Sequence, residues 1–276
     1  MEALVSTDWL AKHLGDGDLS IVDASWHMPA TGRSGRTDHA VAHIPGARFL
    51  DIDALSDRGS SVPHMLPSAE EFAKAMEELG VSSGDRIVVY DNSPLRTGAR
   101  GWFMLRHFGA EHVAILDGGF QKWVAEGRPT EAGEPPPRVA RFQAREPTGR
   151  VVGKSEVLAG VGMLVDARGQ GRFEGSEPDP RPGVAPGHIP GARNIPFATL
   201  YREDGTFRSG DELERLFADA GVDSKAPFTA SCGSGVTANS LIFAAHLLGN
   251  DATRLYDGSW SEWGADPATP KALGPA

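Results

Sequence analysis

Short apolar runs alternate along the chain with longer segments whose apolar positions recur at helical spacing. The runs are too short for helices and hold few polar side chains, which is typical of strands buried on both faces of a sheet. The longer segments include residues 97–108 and 238–248, each followed by a glycine, as the ends of helices often are. This alternation predicts an α/β fold with a mainly parallel central sheet flanked by helices. The apolar runs occupy residues 21–22, 86–90, 163–165 and 228–230.

Two further helices are indicated by their first residues. Ser68 is followed three residues later by Glu71, and Ser209 is followed at the same spacing by Glu212. This spacing is typical of a capping box, in which the serine and the glutamate each bind a backbone N–H group at the start of a helix. We therefore expect helices to begin directly after Ser68 and Ser209.

The second half of the chain repeats the first. Four segments return in the same order about 140 residues later, a period that is too long for a solenoid repeat and fits a whole domain. We expect two copies of one domain, residues 1–130 and 149–276, joined by residues 131–148. That joining segment is rich in proline and charge and lacks apolar periodicity, so it is interpreted as an extended linker. The repeated pairs are LSIVDAS (19–25) with MLVDAR (163–168), AHIPGAR (42–48) with GHIPGAR (187–193), SAEEFAKAMEELGV (68–81) with SGDELERLFADAGV (209–222), and LDGGFQKW (116–123) with YDGSWSEW (256–263).

Composition narrows the class of protein. Lys and Arg total 27 and Asp and Glu total 37, a formal net charge of -10, which argues against nucleic acid as the main partner. A local basic pocket is compatible with this balance, because net charge says little about one cleft. The chain has no apolar run of ~18 residues and no secretory signal pattern at its start, so we expect a soluble cytoplasmic protein without a membrane partner.

Cys232 is the only cysteine, so the chain can form no internal disulfide, which fits a reducing compartment. The residue lies between a strand expected to end near Ser231 and a helix expected to begin near Thr237 or Ala238. Ligands of parallel sheets bind at the carboxyl ends of strands, where loop N–H groups and a helix N-terminus favour negative charge. Both effects stabilise a thiolate, the nucleophilic form. The alternative is a small buried side chain at a strand end.

Two glycines follow the cysteine. We expect Gly233 and Gly235 to allow backbone angles that are closed to other residues.

The doubled domain, the HIPGA segments and the sequence CGSGVT at residues 232–237 resemble the tandem-domain sulfurtransferases of the rhodanese superfamily over nearly the whole chain. The loop is similar to the version found in 3-mercaptopyruvate sulfurtransferases. Thiosulfate-preferring rhodaneses usually carry Arg and Lys where this chain has Gly233 and Ser234, and a loop without cations should hold the thiosulfate dianion less well. The resemblance implies transfer of the sulfane sulfur of 3-mercaptopyruvate through a Cys232 persulfide, with release of pyruvate. Thiosulfate as the donor is the alternative.

The first copy departs from this pattern. Its equivalent stretch, residues 88–100, has Asp91 where the cysteine should stand and is one residue longer. A carboxylate cannot carry a transferable sulfur. We therefore expect the first copy to be catalytically silent and to serve as a scaffold and as one wall of the cleft.

The resemblance also implies residues that bind the donor. Arg172 and Arg181 match the two arginines of the mercaptopyruvate group, and a guanidinium can donate two parallel hydrogen bonds to a carboxylate. The alternative for either is a solvated surface arginine. The loop residues expected to surround the bound donor and its sulfur are Gly233, Gly235, Val236 and Thr237.

A proton must reach the departing enolate. The resemblance implies that His64 and Asp53, in the segment 49–68, extend from the first domain, and that His64 forms a triad-like relay with Ser234 and Cys232. Histidine in general exchanges protons near neutral pH. Asp53 is expected either to orient His64 or to be a structural aspartate. The Thr237 hydroxyl is expected to bind the persulfide or to cap the following helix.

No cofactor is expected, because the chain has no zinc-ligand cluster, phosphate-loop motif or dinucleotide fingerprint. The chain lacks a second thiol, so the sulfur acceptor must be external: cyanide in an assay, or a thiol or dithiol such as reduced thioredoxin. A cysteine phosphatase would need arginine at the sixth position after the cysteine, where this chain has Ala238. A non-catalytic binding module would not need to retain Cys232.

Overall fold

The computed structural model describes residues 1–145 and 149–276. The described residues divide into two compact units. Unit 1 comprises residues 1–56, 66–145 and 202–207, and unit 2 comprises residues 57–65, 149–201 and 208–276. Each unit therefore includes one short segment whose sequence lies in the opposite half of the chain.

Unit 1 is built on a parallel sheet with the strand order β1-β5-β4-β2-β3, five strands in the described part of the chain. A short 3₁₀ helix, Pro29–Thr31, precedes the second α-helix. The strands are β1 (Leu4–Val5), β2 (Leu19–Asp23), β3 (Arg48–Phe49), β4 (Arg86–Tyr90) and β5 (His112–Leu116), and the helices are α1 (Thr7–His13), α2 (Gly35–Val41), α3 (Ala69–Leu79), α4 (Gly98–His107) and α5 (Gly119–Ala125).

Unit 2 repeats this topology with the order β6-β10-β9-β7-β8, again five parallel strands among its described residues. A 3₁₀ helix, Phe197–Leu200, precedes α8. The strands are β6 (Val151–Val152), β7 (Leu164–Asp166), β8 (Arg193–Asn194), β9 (Thr229–Ser231) and β10 (Arg254–Tyr256), and the helices are α6 (Lys154–Ala159), α7 (Gln170–Glu174), α8 (Gly210–Asp219), α9 (Ala238–Leu247) and α10 (Ser259–Trp263).

The sequence-based fold is confirmed. The run predicted at residues 86–90 coincides with β4, and the run predicted at 228–230 is displaced by one residue to β9. Ser68 caps α3 with the full reciprocal capping box, and at the start of α8 the Glu212 carboxylate accepts bonds from both the N–H group (2.8 Å) and the hydroxyl (2.7 Å) of Ser209. Local propensity and tertiary packing therefore agree at these helix starts.

The centre of each sheet is its most deeply buried part. In unit 1, β2 and β4 pair from Leu19↔Arg86 to Asp23↔Tyr90, and in unit 2, β7 and β9 pair from Leu164↔Thr229 to Asp166↔Ser231. In unit 2, β9 lies between β10 and β7, all three parallel. The loops that follow these three strands therefore leave the sheet at one edge, which is the edge where ligands bind in such folds.

The segment predicted as a linker is anchored in unit 1 over its described part. Glu131 forms an isolated antiparallel bridge with His43. Arg138 pairs with the nearly buried Asp85 at 2.8 Å, and the Phe142 ring packs at 5.4 Å from Phe72. This segment lacks apolar periodicity because it lies along an existing surface without forming an element of its own. Residues 146–148 of the predicted linker, including its boundary with the second domain, lie outside the described residues.

Among the described residues, no helix is both long enough and apolar enough to cross a lipid bilayer.

Candidate active site around Cys232

Cys232 lies directly after β9 and is 1 % exposed. Residues 232–237 form the turn that leads into α9, which begins at Ala238 as the sequence indicated. The carbonyl of Cys232 accepts the Trp260 N–H (3.0 Å), and the carbonyl of Gly233 accepts the Ser261 N–H (2.8 Å). The turn is thus held against α10, the helix that follows the neighbouring strand β10.

The N–H groups of this turn fall into two sets. Those of Cys232 and Gly235 donate to the Ser259 hydroxyl oxygen, both at 3.1 Å. A second set of N–H groups has no acceptor among the residues that the structure describes. Unpaired N–H groups beside a helix N-terminus form a favourable site for an anion. This second set belongs to Gly233, Ser234, Val236 and Thr237.

The two glycines of the turn are required for different reasons. Gly235 has a φ of 72°, and a side chain there would lie 2.6 Å from the carbonyl of Asp257. The expectation of unusual backbone angles is wrong for Gly233, whose φ is not positive. A Cβ atom at Gly233 would lie 3.2 Å from Nη2 of Arg172 and 3.3 Å from Nη1 of Arg181. Gly233 therefore provides space beside two guanidinium groups.

Arg172 is on α7, and Arg181 lies in the loop that follows. Both guanidinium groups bind one carboxylate, since Nη2 of Arg172 lies 2.5 Å from Oδ2 of Asp179 and Nη1 of Arg181 lies 3.2 Å from Oδ1. The side chain of Asp179 is 1 % exposed, whereas those of the arginines are 24 % and 27 % exposed. The carboxylate thus holds both arginines from the protein side and leaves part of each accessible beside Gly233.

Asp179 was not singled out from the sequence. Burial by itself raises the pKa of this carboxyl, but the hydrogen bond and charge of Arg172, together with the backbone bond and charge of Arg181, outweigh burial, so the pKa lies below its ordinary value. Asp179 is therefore ionised at neutral pH. Nε of Arg172 is buried and has no hydrogen-bond partner among the described residues, so this guanidinium retains donor capacity.

His64 lies in the segment 57–65, which groups with unit 2 although its sequence belongs to the first half. The N–H of Asp57 binds the carbonyl of Met65 at 2.9 Å and closes this segment into a loop. Nδ1 of His64 lies 2.8 Å from Oγ of Ser234. His64 is 6 % exposed and has a φ of 63°, a conformation that non-glycine residues rarely adopt and that is often retained at functional sites.

The remaining predicted residues have other contacts. Asp53 belongs to unit 1, where its Oδ2 accepts the Trp26 indole N–H at 2.9 Å. Val236 is buried, and its carbonyl accepts the Asn239 side-chain amide at 2.9 Å. Thr237 occupies the N-cap position of α9, but its side chain makes no capping bond. The expectation that it caps this helix through its hydroxyl is therefore wrong, since its backbone is already in the helical region.

Ser259 is a residue of the site that the sequence reasoning missed. Its hydroxyl donates to the carbonyl of Tyr256 at 2.8 Å while accepting the two N–H groups of the cysteine turn, and it lies 4.0 Å from Sγ of Cys232. Ser259 is fully buried and has a φ of 50°. The repeat aligns it with Gly119, which has a φ of 59°. The sequence signal for Ser259 is this difference between the copies, a serine in the second where the first has glycine.

The equivalent turn of unit 1 is residues 91–97, one residue longer than residues 232–237. The Phe120 N–H binds the carbonyl of Asp91 at 3.0 Å, which matches the bond from Trp260 to Cys232. The Asp91 carboxylate accepts the N–H groups of Ser93 and Gly98, both at 2.8 Å. An internal carboxylate therefore supplies the negative charge at the start of α4. Burial raises the pKa of Asp91 to about 6, although these N–H bonds oppose the shift.

Comparison with known proteins identifies the family of both domains. Residues 6–126 and 153–266 both match the rhodanese-like domain. The chain belongs to the rhodanese-like family. Its two copies of the domain account for the repeat and for the shared strand order of the two sheets. The match includes the Cys232 turn in the second copy and the Asp91 turn in the first.

Several known proteins resemble the chain over nearly its whole length. The 3-mercaptopyruvate sulfurtransferase of Rattus norvegicus is 42% identical over 95% of this chain and 91% of its own. The thiosulfate sulfurtransferase of Gallus gallus is 41% identical over 95% and 93%. The crystal structure of SseA from Escherichia coli, described as a 3-mercaptopyruvate sulfotransferase, has a TM-score of 0.86, 40% identity, and coverage of 95% of this chain and 100% of its own.

Within residues 1–145 and 149–276, no group of three or more His, Cys, Asp and Glu side chains is arranged to hold a metal ion.

The buried Asp91 carboxyl predicts a pH-dependent stability. Its native pKa is about 6, against an ordinary value of 3.8. Between these values the folded protein holds a proton that the unfolded chain has released, so stability falls as the pH rises through about 6. Between about pH 5 and about pH 7.5, we expect the free energy of unfolding of the wild type to fall by about 1.4 kcal/mol relative to Asp91→Asn. Equilibrium denaturation at both pH values measures this change. An identical wild-type-to-variant difference at both would contradict it.

Ser259 yields a prediction from a pair of variants. Ser259→Ala and Ser259→Gly both remove the hydroxyl that accepts the N–H groups of Cys232 and Gly235, a loss of about 2–4 kcal/mol of stability. The alanine variant also retains a Cβ at positive φ, so we expect it to be less stable than the glycine variant by about 1 kcal/mol. This order is the reverse of the helix preference of the two residues. Guanidinium denaturation measures it, and an alanine variant as stable as the wild type would overturn the assigned contacts.

Proposed function

We propose that the chain is a 3-mercaptopyruvate sulfurtransferase. It moves the sulfane sulfur of 3-mercaptopyruvate to a thiophilic acceptor through a persulfide on Cys232 and releases pyruvate. The observation that carries this proposal is the position of Cys232 in a turn with unpaired N–H groups, next to two accessible guanidinium groups. The turn suits a sulfur anion, and the guanidinium groups suit the carboxylate of the donor. The names of the relatives from Rattus norvegicus and Escherichia coli support the same reaction.

Donor binding uses Arg172 and Arg181. Their guanidinium groups are fixed on one side by Asp179 and lie within 3.4 Å of the position that a Cβ of Gly233 would occupy. A carboxylate bound there by parallel hydrogen bonds lies against the residue that follows the nucleophile. The thiol group of the same small molecule is then directed to Cys232, and binding energy is converted into alignment.

In the first half-reaction the Cys232 thiolate attacks the donor sulfur. An S–S bond forms, the C–S bond breaks, and its electron pair remains on pyruvate as an enolate. The donor thiol releases one proton, and the enolate carbon takes up one proton to give pyruvate, so the number of protons is conserved. We assign this proton movement to Ser234 and His64, which are in hydrogen-bond contact and of which histidine is the residue type suited to exchanging a proton near neutral pH. The persulfide anion is held by the N–H groups of Gly233, Ser234, Val236 and Thr237.

In the second half-reaction an external nucleophile attacks the outer sulfur of the persulfide. The S–S bond breaks, and the Cys232 thiolate leaves. The chain has one cysteine, so it offers no thiol of its own to resolve the persulfide. The acceptor is a thiol or dithiol such as reduced thioredoxin, and cyanide serves in an assay. No organic cofactor or metal takes part. The cytoplasmic location and the role of Asp53 in orienting His64 stay predictions.

The choice of donor depends on the turn. The relative from Gallus gallus carries the name of the thiosulfate enzyme at similar identity, so identity alone does not select the donor. Gly233 and Ser234 place no cation in the turn, which disfavours the thiosulfate dianion. The first copy is assigned no sulfur-transfer role, because Asp91 stands at the position of the nucleophile.

The proposed donor preference is tested by steady-state assays with cyanide as the acceptor. We expect kcat/KM for 3-mercaptopyruvate to exceed that for thiosulfate, because the site holds a carboxylate and its turn lacks cations. A thiosulfate preference of more than about tenfold, or about 1.4 kcal/mol, would reject the donor assignment. Cys232→Ser should abolish turnover with both donors, since a hydroxyl cannot form the persulfide. Retained activity in that variant would reject the mechanism itself.

Arg172 tests the carboxylate site separately. In Arg172→Ala we expect KM for 3-mercaptopyruvate to rise by about tenfold to a hundredfold, because a charge-assisted hydrogen bond contributes about 1.5–3 kcal/mol. Arg215→Ala, which removes an exposed arginine from α8, is the matched control and should keep the wild-type KM. An unchanged KM in Arg172→Ala would mean that the donor carboxylate binds elsewhere.

A further inference from the structure

Arg172, Arg181 and Asp179 form a group of three charges with a net charge of +1. The shared carboxylate binds one guanidinium with each of its oxygen atoms, at 2.5 Å and 3.2 Å. Oδ1 also accepts the backbone N–H of Arg181 at 3.0 Å. With three hydrogen bonds and an exposure of 1 %, the carboxylate is fixed in place and cannot turn outward into solvent.

We propose that Asp179 determines the charge of the sulfur donor, by cancelling one of the two arginine charges so that the site favours a monoanionic thiol-bearing keto acid over a dianionic donor. This inference rests on the proposed sulfur-transfer function and adds a specificity-determining role for a residue that does not touch the reacting atoms. Asp179 acts through the two arginines and is therefore a positioning residue.

The physical reason is the balance between the charge of the site and the charge of the donor. Two arginines without Asp179 would present a charge of +2, which matches a dianion such as thiosulfate. Asp179 is ionised and pairs with both arginines, so only one of their two positive charges is left for the donor. A second negative charge on the donor is therefore left without a partner, close to the buried carboxylate. Water screens such an interaction poorly in a half-buried site. A monoanion fills the remaining charge of +1 without this repulsion.

The neighbouring charged groups add no positive charge to this sum. Arg168, whose Nη1 lies 3.5 Å from the carbonyl of Arg172, forms an ion pair with Asp166 at 2.6 Å, and both side chains are at most 2 % exposed. The turn contributes the uncharged residues Gly233 and Ser234. Asp257, whose carboxylate lies near Gly235, adds a negative charge to this side of the site. The positive charge available to a donor is therefore at most that of the arginine pair less Asp179, which is +1.

The test compares two donors in variants that separate charge from shape. Asp179→Asn keeps the size of the side chain and removes its charge, whereas Asp179→Glu keeps the charge. Glu214→Gln removes one negative charge from an exposed ion pair with Lys225 in the same unit and is the control for a change in net charge. The readout is the ratio of kcat/KM for 3-mercaptopyruvate to kcat/KM for thiosulfate, with cyanide as the acceptor.

We expect Asp179→Asn to lower this ratio by about tenfold or more, chiefly through a lower KM for thiosulfate, and to make that KM more sensitive to salt. Asp179→Glu and Glu214→Gln should stay within about threefold of the wild-type ratio. The first keeps the negative charge beside the two arginines, and the second removes a charge only from an exposed ion pair, which contributes little. An Asp179→Asn ratio equal to that of the wild type, or an equal loss for both donors, would show a purely structural role and overturn the inference.

A second variant keeps the inference testable if Asp179→Asn does not fold. Arg181→Gln lowers the charge of the group from +1 to zero, so we expect the ratio to rise, because thiosulfate loses more than the monoanion does. A ratio that falls or stays constant in Arg181→Gln would overturn the charge rule. A wild-type enzyme that prefers thiosulfate would reject the proposed donor, while the direction of change in these variants would still decide the role of Asp179.

Discussion

The parallel pairing of β9 with both of its neighbours is the constraint on which the site depends. Since β7, β9 and β10 run in the same direction, the residues that follow them emerge at one edge of the sheet. The first of these segments leads to Arg172, the second is the turn with Cys232, and the third leads to Ser259. Arg172 and Ser259, almost 90 positions apart in the chain, thus lie beside the same short turn. Each contact in the site presupposes this convergence.

The two copies of the domain differ in the group that lies at the start of the helix after the central strand. In unit 1 the Asp91 carboxylate accepts the N–H groups of its own turn, so the site is filled by a side chain of the protein. In unit 2 the corresponding residue is a cysteine, and several N–H groups of the turn remain without a protein acceptor. In both copies a turn precedes the start of a helix. Only the turn of unit 2 has N–H groups left to bind a sulfur that arrives with a substrate. The same fold therefore yields one structural turn and one candidate catalytic turn.

Strained backbone is concentrated at this turn. Within the described residues, three non-glycine residues have positive φ, and two of them, His64 and Ser259, contact the turn of Cys232. Each places a side chain where a relaxed conformation would direct it elsewhere. The cost of such angles is about 1–3 kcal/mol per residue, which the surrounding hydrogen bonds must offset. Rigid positioning of Ser234 and of the turn N–H groups is the physical consequence.

The sequence by itself determined the α/β class, the duplication, and the turn in which Cys232 precedes α9, because these depend on local periodicity, capping residues and a repeat that is visible in the letters. It also pointed to Arg172, Arg181 and His64, through resemblance to a family. Tertiary structure decided what these residues touch. Asp179 precedes Arg181 by two residues, yet only folding brings Arg172 onto the same carboxylate. His64 belongs by sequence to the first half but lies against Ser234 in unit 2, and Ser259 accepts N–H groups from a turn some 25 residues earlier. Such contacts depend on distances between elements that are remote in the chain, which no local pattern encodes.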